Sequence, residues 1–158
     1  FILFNSRCRV YKRLLSFSLG VLMNYQEYEK QCKLIVKDNS HLLNELTEHM
    51  RTLVSTEEVV QEHVSNIEFF INTYLLREEP IHAKNGITFI SPFLSYFFPS
   101  KCGWSSVKTL KRYIASFKRF YKFMLFTNRI EESAYDSLSS LIKEEKDEWL
   151  FNVDYVNH

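Results

Sequence analysis

The sequence predicts an all-α protein, a compact bundle of four to five helices with an N-terminal helical extension. Only three glycines and three prolines occur in 158 residues, and such long segments without turn residues favour helices over strands. Hydrophobic residues make up 46% of the chain, and they recur at steps of three and four, as on one face of a helix. The length is that of one domain with a sizeable core.

Residues 1–22 are predicted to lie outside the bundle. They carry four of the basic residues and no acidic one, together with an apolar run that is too short to span a membrane. No signal-peptidase site follows this run. We expect Met23 to be the natural start, so that residues 1–22 are translated upstream sequence or an added extension. A basic amphipathic anchor is the alternative.

The N-terminal extension, residues 23–54, is predicted to contain two helices, over 25–37 and 41–54. Each has apolar residues at helical spacing. Asp38, Asn39 and Ser40 lie between them, and these residue types favour helix N-caps over helix interiors. The sequence therefore predicts a break at this point.

The central segment, residues 55–130, is predicted to contain three helices. A Ser-x-x-Glu capping box at Ser55 and Glu58 begins a long helix that reaches about residue 77. A short apolar helix is predicted over 88–98. Pro92 is compatible with this helix, because a proline is tolerated near the first turn. A turn is predicted over 99–104, and the third helix follows it.

This third helix, over about 105–129, has the most pronounced charge pattern of the chain. Seven Lys and Arg residues, and no Asp or Glu, lie between Gly103 and Ile130. Placed at about 100° per residue, six of these cations fall within an arc of roughly 120°, opposite the apolar stripe. The six are Lys108, Lys111, Arg112, Lys118, Arg119 and Lys122. A row of cations without built-in counter-ions favours a polyanion, and nucleic acid is the polyanion we expect.

The C-terminal segment, residues 131–158, is acidic, with eight Asp and Glu residues against two Lys. It is predicted to form a helix over about 131–150 followed by a tail, with Trp149 and Phe151 docking the helix onto the bundle. The acidic run 143–148 is interpreted as a solvated helix face. The alternative is a lid that covers the basic helix and competes with DNA.

The aromatic residues of the basic helix are interpreted as core residues rather than as a platform for stacking bases. Phe123 and Phe126 are the two expected to be exposed. Cys8, Cys32 and Cys102 show neither a disulfide pattern nor a zinc-ligand pattern, and the histidines have no metal-ligand spacing. We expect no cofactor or metal, and the cysteine usage suits a cytoplasmic protein.

Three segments in this order resemble the N-terminal core-binding, or SAM-like, domain of tyrosine recombinases and phage integrases. They are STEEVVQEHVSNIEFFINTYL, GITFISPFLSYF and SSVKTLKRYIASFKRFYKFMLFTNRI. The resemblance implies a small helical domain that clasps one side of a DNA duplex while a separate domain performs recombination. It implies that the six cations face phosphates, and that Ser105, Ser106 and Thr109 reach the DNA backbone or bases.

The sequence departs from this family in its chemistry. No histidine begins a His-x-x-Arg motif, and Tyr135 and Tyr155 lie in the acidic segment rather than among cations. We therefore expect no enzyme activity. The expected function is non-catalytic binding of double-stranded DNA, either as a stand-alone module or as a fragment of a longer recombinase. A recombinase catalytic domain or another protein would be its partner, and no membrane partner is expected.

The alternative function is that of an α-helical protein–protein interaction or regulatory protein, binding through residues 24–54 or through the acidic tail. The two functions predict different surroundings for the basic helix. Cations paired with acidic residues of the run 143–148 favour the interaction function. A continuous basic surface that nothing covers favours DNA binding.

Overall fold

The structure is a computed structural model that describes residues 25–53 and 56–156. Within these ranges it contains five helices and no strand, which confirms the predicted all-α bundle. The helices are α1 (Tyr25–Leu53), α2 (Glu57–Glu68), α3 (residues 90–101), α4 (Val107–Phe126) and α5 (Glu132–Val156). The predictions for residues 1–22, for Met23 as the start and for Ser55 as a cap lie outside the described residues.

One continuous helix, α1, replaces the two that the sequence predicted for residues 25–54. Asn39 is only 3% exposed. Its side chain donates to Oδ1 of Asn72 at 2.8 Å and to the carbonyl of Ile71 at 3.4 Å. Ser40 donates its hydroxyl to the carbonyl of Lys37 within the same helix. The predicted break was wrong because these polar side chains find partners without interrupting the helix, at a propensity cost of about 0.7 kcal/mol or less per residue.

The long helix that was predicted to reach about residue 77 is confirmed, but its last turns are wider than those of an α-helix. After α2 the chain continues as a π-helix over Phe69–Tyr74, where the N–H of Leu75 bonds to the carbonyl of Phe70. π-Turns of this kind interrupt α-helices where packing requires it. Here the wide turn brings Phe70, Ile71 and Tyr74 into the core.

The short helix predicted over 88–98 also contains a π-turn, and it runs further than predicted. Short 3₁₀ turns at Ala83–Asn85 and Ile87–Phe89 lead into α3, which consists of Ile90–Pro92, a π-helix over Phe93–Phe97, and Phe98–Lys101. Pro99 therefore lies inside the helix, where a turn was predicted. The wider turn before it relieves the clash that a proline ring makes with the carbonyl four residues earlier in a regular α-helix.

Aromatic side chains form the centre of the core. Phe117 of α4 lies 4.7 Å from Phe70 and 5.9 Å from Phe93, measured between ring centroids. Tyr121 donates its hydroxyl to the carbonyl of Ala83 at 2.9 Å. Gly86 makes this possible, since a side chain on Gly86 would collide with that hydroxyl. The core interpretation of the aromatic residues on α4 therefore holds for Phe117 and Tyr121, which are fully buried.

Four aromatic residues show where single-helix reasoning was right or wrong. Phe126 is 74% exposed, as predicted, but Phe123 is only 3% exposed. The ring of His49, near the end of α1, lies 5.2 Å from that of Phe123 and covers it. On α5, Trp149 is buried as predicted, whereas Phe151 is 69% exposed. Two residues correspond to about 200° of helix rotation, so Phe151 lies on the other side of α5.

The remaining boundaries follow the prediction more closely. α5 begins one residue later than predicted and extends to Val156, six residues past the predicted end. α4 packs against both α2 and α5, and it contacts α1 near the end of that helix. This arrangement leaves one long face of α4 uncovered by the other described helices.

Candidate nucleic-acid interface

The start of α4 is fixed by a capping box. The hydroxyl of Ser106 accepts from the N–H of Thr109 at 3.1 Å, and the hydroxyl of Thr109 accepts from the N–H of Ser106 at 2.9 Å. Thr109 also donates to the carbonyl of Trp104. These are two of the hydroxyls predicted to reach DNA, and a contact with DNA would compete with the cap. Ser105 is buried and directed at the carbonyl of Pro99, so we leave it out of the interface.

The predicted basic face of α4 is exposed along its whole length. All six cations of the arc are exposed: Lys108, Lys111, Arg112, Lys118, Arg119 and Lys122. Ala115 is half-buried and lies at the centre of the arc, within about 60° of each of the six at 100° per residue. The opposite face contributes nine buried residues to the bundle. The facing of α4 that the sequence predicted is therefore the one observed.

The edge of this face that adjoins α2 is partly neutralised. Nε of Arg112 lies 3.4 Å from a carboxylate oxygen of Glu62, and both side chains are more than a third exposed. Ion pairs of this kind contribute about 0–1 kcal/mol, because water and salt screen them. Arg112 therefore remains able to exchange Glu62 for a phosphate.

A buried polar cluster lies directly beneath this edge. Nδ1 of His63, which is 2% exposed, lies 2.7 Å from the hydroxyl of Ser116. Asn66 donates to the same hydroxyl at 3.1 Å, and Ser116 donates to the carbonyl of Arg112 at 2.9 Å. Because Ser116 has one hydrogen to donate, Nδ1 of His63 is the donor in their hydrogen bond. The cluster joins α2 to α4 and fixes the rotation of the basic helix.

His63 adds no positive charge to the interface near neutral pH. Burial lowers the pKa of His63, and the nearby guanidinium groups of Arg119 and Arg112 lower it further, while Glu62 acts in the opposite direction. Each of these effects has an ordinary physical cause, desolvation or the neighbouring charge. His63 is therefore a neutral structural residue, and its hydrogen-bond partners could not be named from the sequence.

The edge that adjoins α5 is more basic than the sequence indicated. Lys111 and Lys118 of α4 and Lys146 of α5 line an open cleft of about 210 Å³, together with Ile114 and Ala115. Lys146 was not among the predicted site residues, because it lies within the acidic run 143–148. Its spacing could have revealed it. Lys146 falls between Ile142 and Trp149, both buried, and it therefore flanks the face of α5 that packs on the bundle.

The acidic residues of α5 do not cover the basic face. The carboxylate of Glu145 accepts hydrogen bonds from Ser91 of α3 and from the indole of Trp149. Within the described part of the chain, no ion pair joins a cation of α4 to Glu144, Glu145, Asp147 or Glu148. This is the surrounding that the sequence analysis associated with DNA binding rather than with the interaction function.

The tyrosines of α4 have no access to a substrate. Tyr113 and Tyr121 are buried, and burial raises the pKa of both phenols.

The residues that the structure describes contain no group of three or more His, Cys, Asp or Glu side chains that could hold a metal ion. Among the same residues, no helix is long and apolar enough to cross a lipid bilayer.

Comparisons with protein-family models, with curated proteins and with solved structures find no significant match to this chain. The resemblance to recombinase core-binding domains therefore stays a prediction.

Proposed function

We propose that this protein binds double-stranded DNA through the exposed face of α4 and does not cleave it. One observation carries the proposal. The six cations of α4 lie exposed on one face, and within the described residues only Arg112 among them takes part in an ion pair. Such a surface attracts a polyanion and releases counter-ions from it on binding.

The dimensions of this face suit a DNA backbone. From Lys108 to Lys122 the helix rises by about 21 Å at 1.5 Å per residue. At 3.4 Å per base pair, this length corresponds to about six base pairs of duplex. Contacts between Lys or Arg and phosphates carry no sequence information, so we infer binding that is largely tolerant of sequence. The resemblance gives this function its finer form, a recombinase-type core-binding module that works beside a catalytic domain.

A charge-reversal experiment tests the proposal. Fluorescence anisotropy with a labelled duplex should show that the logarithm of the binding constant falls with the logarithm of salt concentration at a slope of about −3.5, the value for four phosphate contacts. The double variant Lys111→Glu with Arg119→Glu should abolish binding, while its thermal unfolding stays close to that of the wild type because both side chains are exposed.

The matched control is Lys37→Glu with Lys84→Glu. It makes the same change in net charge at exposed positions on α1 and on the loop before α3, and it should retain most of the binding. Equal losses in the two double variants would mean that only net charge matters, and would remove α4 as the interface. If the wild type does not bind duplex DNA at about 50 mM salt and tens of micromolar protein, the proposed function is wrong.

The interaction function has one observation in its favour. Phe151 and Tyr155 stack on each other at 6.3 Å on α5, and both are largely exposed. Exposed aromatic residues are enriched at protein interfaces. Failure of DNA binding in the experiment above would leave this surface as the leading candidate.

A further inference from the structure

The cleft between α4 and α5 has the features of a seat for one phosphate group. We propose that a phosphate of the DNA backbone occupies it, held by Lys111, Lys118 and Lys146, so that the strand follows the groove between α4 and α5 rather than the crest of α4. This inference rests on the proposed function, and it names the path of the strand and a contact residue on α5.

Positive charge is concentrated in this cleft. The three lysines come from two helices and line one small cleft, and within the described residues none of them takes part in an ion pair. Like charges that share a site repel one another unless an anion lies between them. A phosphodiester supplies that anion and accepts hydrogen bonds from more than one ammonium group.

The two edges of the basic face differ in charge. On the α2 edge, Arg112 already has a carboxylate partner in Glu62. On the α5 edge, Lys146 joins Lys111 and Lys118 in the cleft lining. It does so although it belongs to the acidic segment 131–158, whose net charge would repel a polyanion. The attraction for a polyanion is therefore stronger on the α5 side, and this favours a strand that lies toward α5.

The rotation of α5 about its own axis determines which of its charged residues adjoin the cleft. Relative to Lys146, at about 100° per residue, Lys143 lies about 60° away, Asp147 about 100°, and Glu144 and Glu148 about 160°. Glu145 is bonded to Ser91 and Trp149. Lys146 therefore lies on the side of α5 that adjoins α4, whereas Glu144, Glu145 and Glu148 lie on other sides of the helix, and a strand in the groove would avoid these three carboxylates.

Two of the residues that line the cleft are apolar. Ile114 and Ala115 contribute apolar surface, which reduces the screening of the lysines by water. Ala115 has the smallest side chain that a helix interior favours, and it leaves open the centre of the arc. The cleft volume of about 210 Å³ compares with about 30 Å³ for a water molecule, so a phosphate group has room to enter.

Two substitutions test this inference in different ways. Lys146→Gln removes one charge and keeps much of the side-chain length. We expect its salt slope on duplex DNA to be less steep by about one unit, the effect of losing one phosphate contact. Ala115→Leu fills the cleft without changing any charge, and leucine is nearly as good a helix former as alanine. We expect it to weaken binding and to reduce the slope by a similar amount.

Each substitution has a control with the same chemical change elsewhere on the surface. Lys84→Gln removes a charge on the exposed loop before α3, and Ser140→Leu adds a leucine at an exposed position of α5. Both should keep the wild-type slope. Circular dichroism melts should show that all four variants are folded.

The outcomes separate this inference from the proposed function. If the wild type does not bind DNA, both are wrong. If the wild type binds and the charge-reversal variant of α4 does not, the proposed function stands. In that case, wild-type behaviour of Lys146→Gln and Ala115→Leu overturns the cleft. If Lys146→Gln weakens DNA binding and Ala115→Leu does not, Lys146 attracts the DNA at a distance. That result would also overturn the proposed phosphate site in the cleft.

Discussion

His63 shows how one buried side chain can hold a surface in place. Its ring lies between α2 and α4, and it donates to Ser116 on the side of α4 that adjoins α2. The same hydroxyl anchors to the backbone of Arg112, one of the six cations of the basic face. The cost of burying the imidazole is offset because Nδ1 has a partner and because the ring stays neutral.

This neutrality predicts how stability depends on pH. The pKa of His63 is lowered on folding, so between the folded pKa and the ordinary value of about 6.5 the unfolded chain binds more protons than the folded one. The contribution of His63 is therefore fully present above about pH 6.5 and is lost as the pH falls toward the folded pKa.

Urea denaturation at pH 7.5, 6.5 and 5.5 measures this dependence. His63→Gln should flatten the fall in the free energy of unfolding over this range. His82→Gln, at an exposed position, should leave it unchanged. A wild-type pH dependence in the His63 variant would show that this residue does not titrate as its surroundings indicate.

The exposure or burial of a residue in the candidate site could be predicted from the sequence only where the period of its own helix determines it. The exposure of the six cations and the burial of Phe117 follow from the period of α4 alone. Phe123 could not be predicted, because its cover is His49 of α1. Lys146 was missed for a related reason. Its position near Lys111 and Lys118 depends on how α5 packs against α4. The acidic residues around Lys146 in the sequence argued against a place in a basic site.

At the scale of helices, α1 illustrates how tertiary contacts override local preference. Asp38, Asn39 and Ser40 are poor residues for a helix interior, yet α1 passes through them without a break. The buried contact between Asn39 and Asn72 joins α1 to the π-helical turn that follows α2. Asn39, which suggested a helix end in the sequence, therefore forms a contact between two helices.

Two alanine substitutions in α1 should have effects of opposite sign. Asn39→Ala removes a buried hydrogen bond and leaves Asn72 without this partner. The loss of about 1–3 kcal/mol exceeds the gain of about 0.7 kcal/mol in helix propensity, so we expect a net destabilisation of about 1 kcal/mol. Ser40→Ala, at an exposed position, should stabilise the protein by about 0.5 kcal/mol or less.

Urea denaturation of the two variants measures both effects, and far-ultraviolet circular dichroism should show unchanged helix content. Stabilisation by both substitutions would mean that the contact of Asn39 contributes nothing, and that α1 is continuous for another reason.

The π-turns could not be predicted for a comparable reason. An apolar period of 3.6 residues indicates a helix but does not reveal where one turn widens to admit a side chain to the core. The wide turn in α3 also explains why a proline signal that correctly predicts helix ends in most sequences was misleading at Pro99. The presence and order of the helices were therefore predictable, while their continuity and the width of single turns depended on the packing of other helices.

For the whole molecule, the sorting of charge along the sequence becomes a sorting in space. The most basic segment forms α4, and the most acidic forms α5 directly beside it. The two helices meet through apolar residues and not through ion pairs, so the cations of α4 keep their capacity to bind a partner. This arrangement leaves the basic face of α4 available as a binding surface.

The last prediction concerns chemistry on DNA. We expect no nick and no covalent DNA adduct from this chain alone, because attack by a tyrosine on a phosphate needs cations around the scissile group. Tyr113 and Tyr121 are buried, and the pKa of each phenol is raised. Tyr135 and Tyr155 lie on α5, where Asp136 and Asp154 are their sequence neighbours.

A duplex with a preformed nick, which traps any phosphotyrosine intermediate, should give no protein–DNA band on a denaturing gel under conditions in which anisotropy shows binding. Tyr135→Phe and Tyr155→Phe serve as the matched controls. A covalent band that disappears in either variant would contradict the non-catalytic function, and it would assign the nucleophile to the acidic helix beside the DNA-binding face.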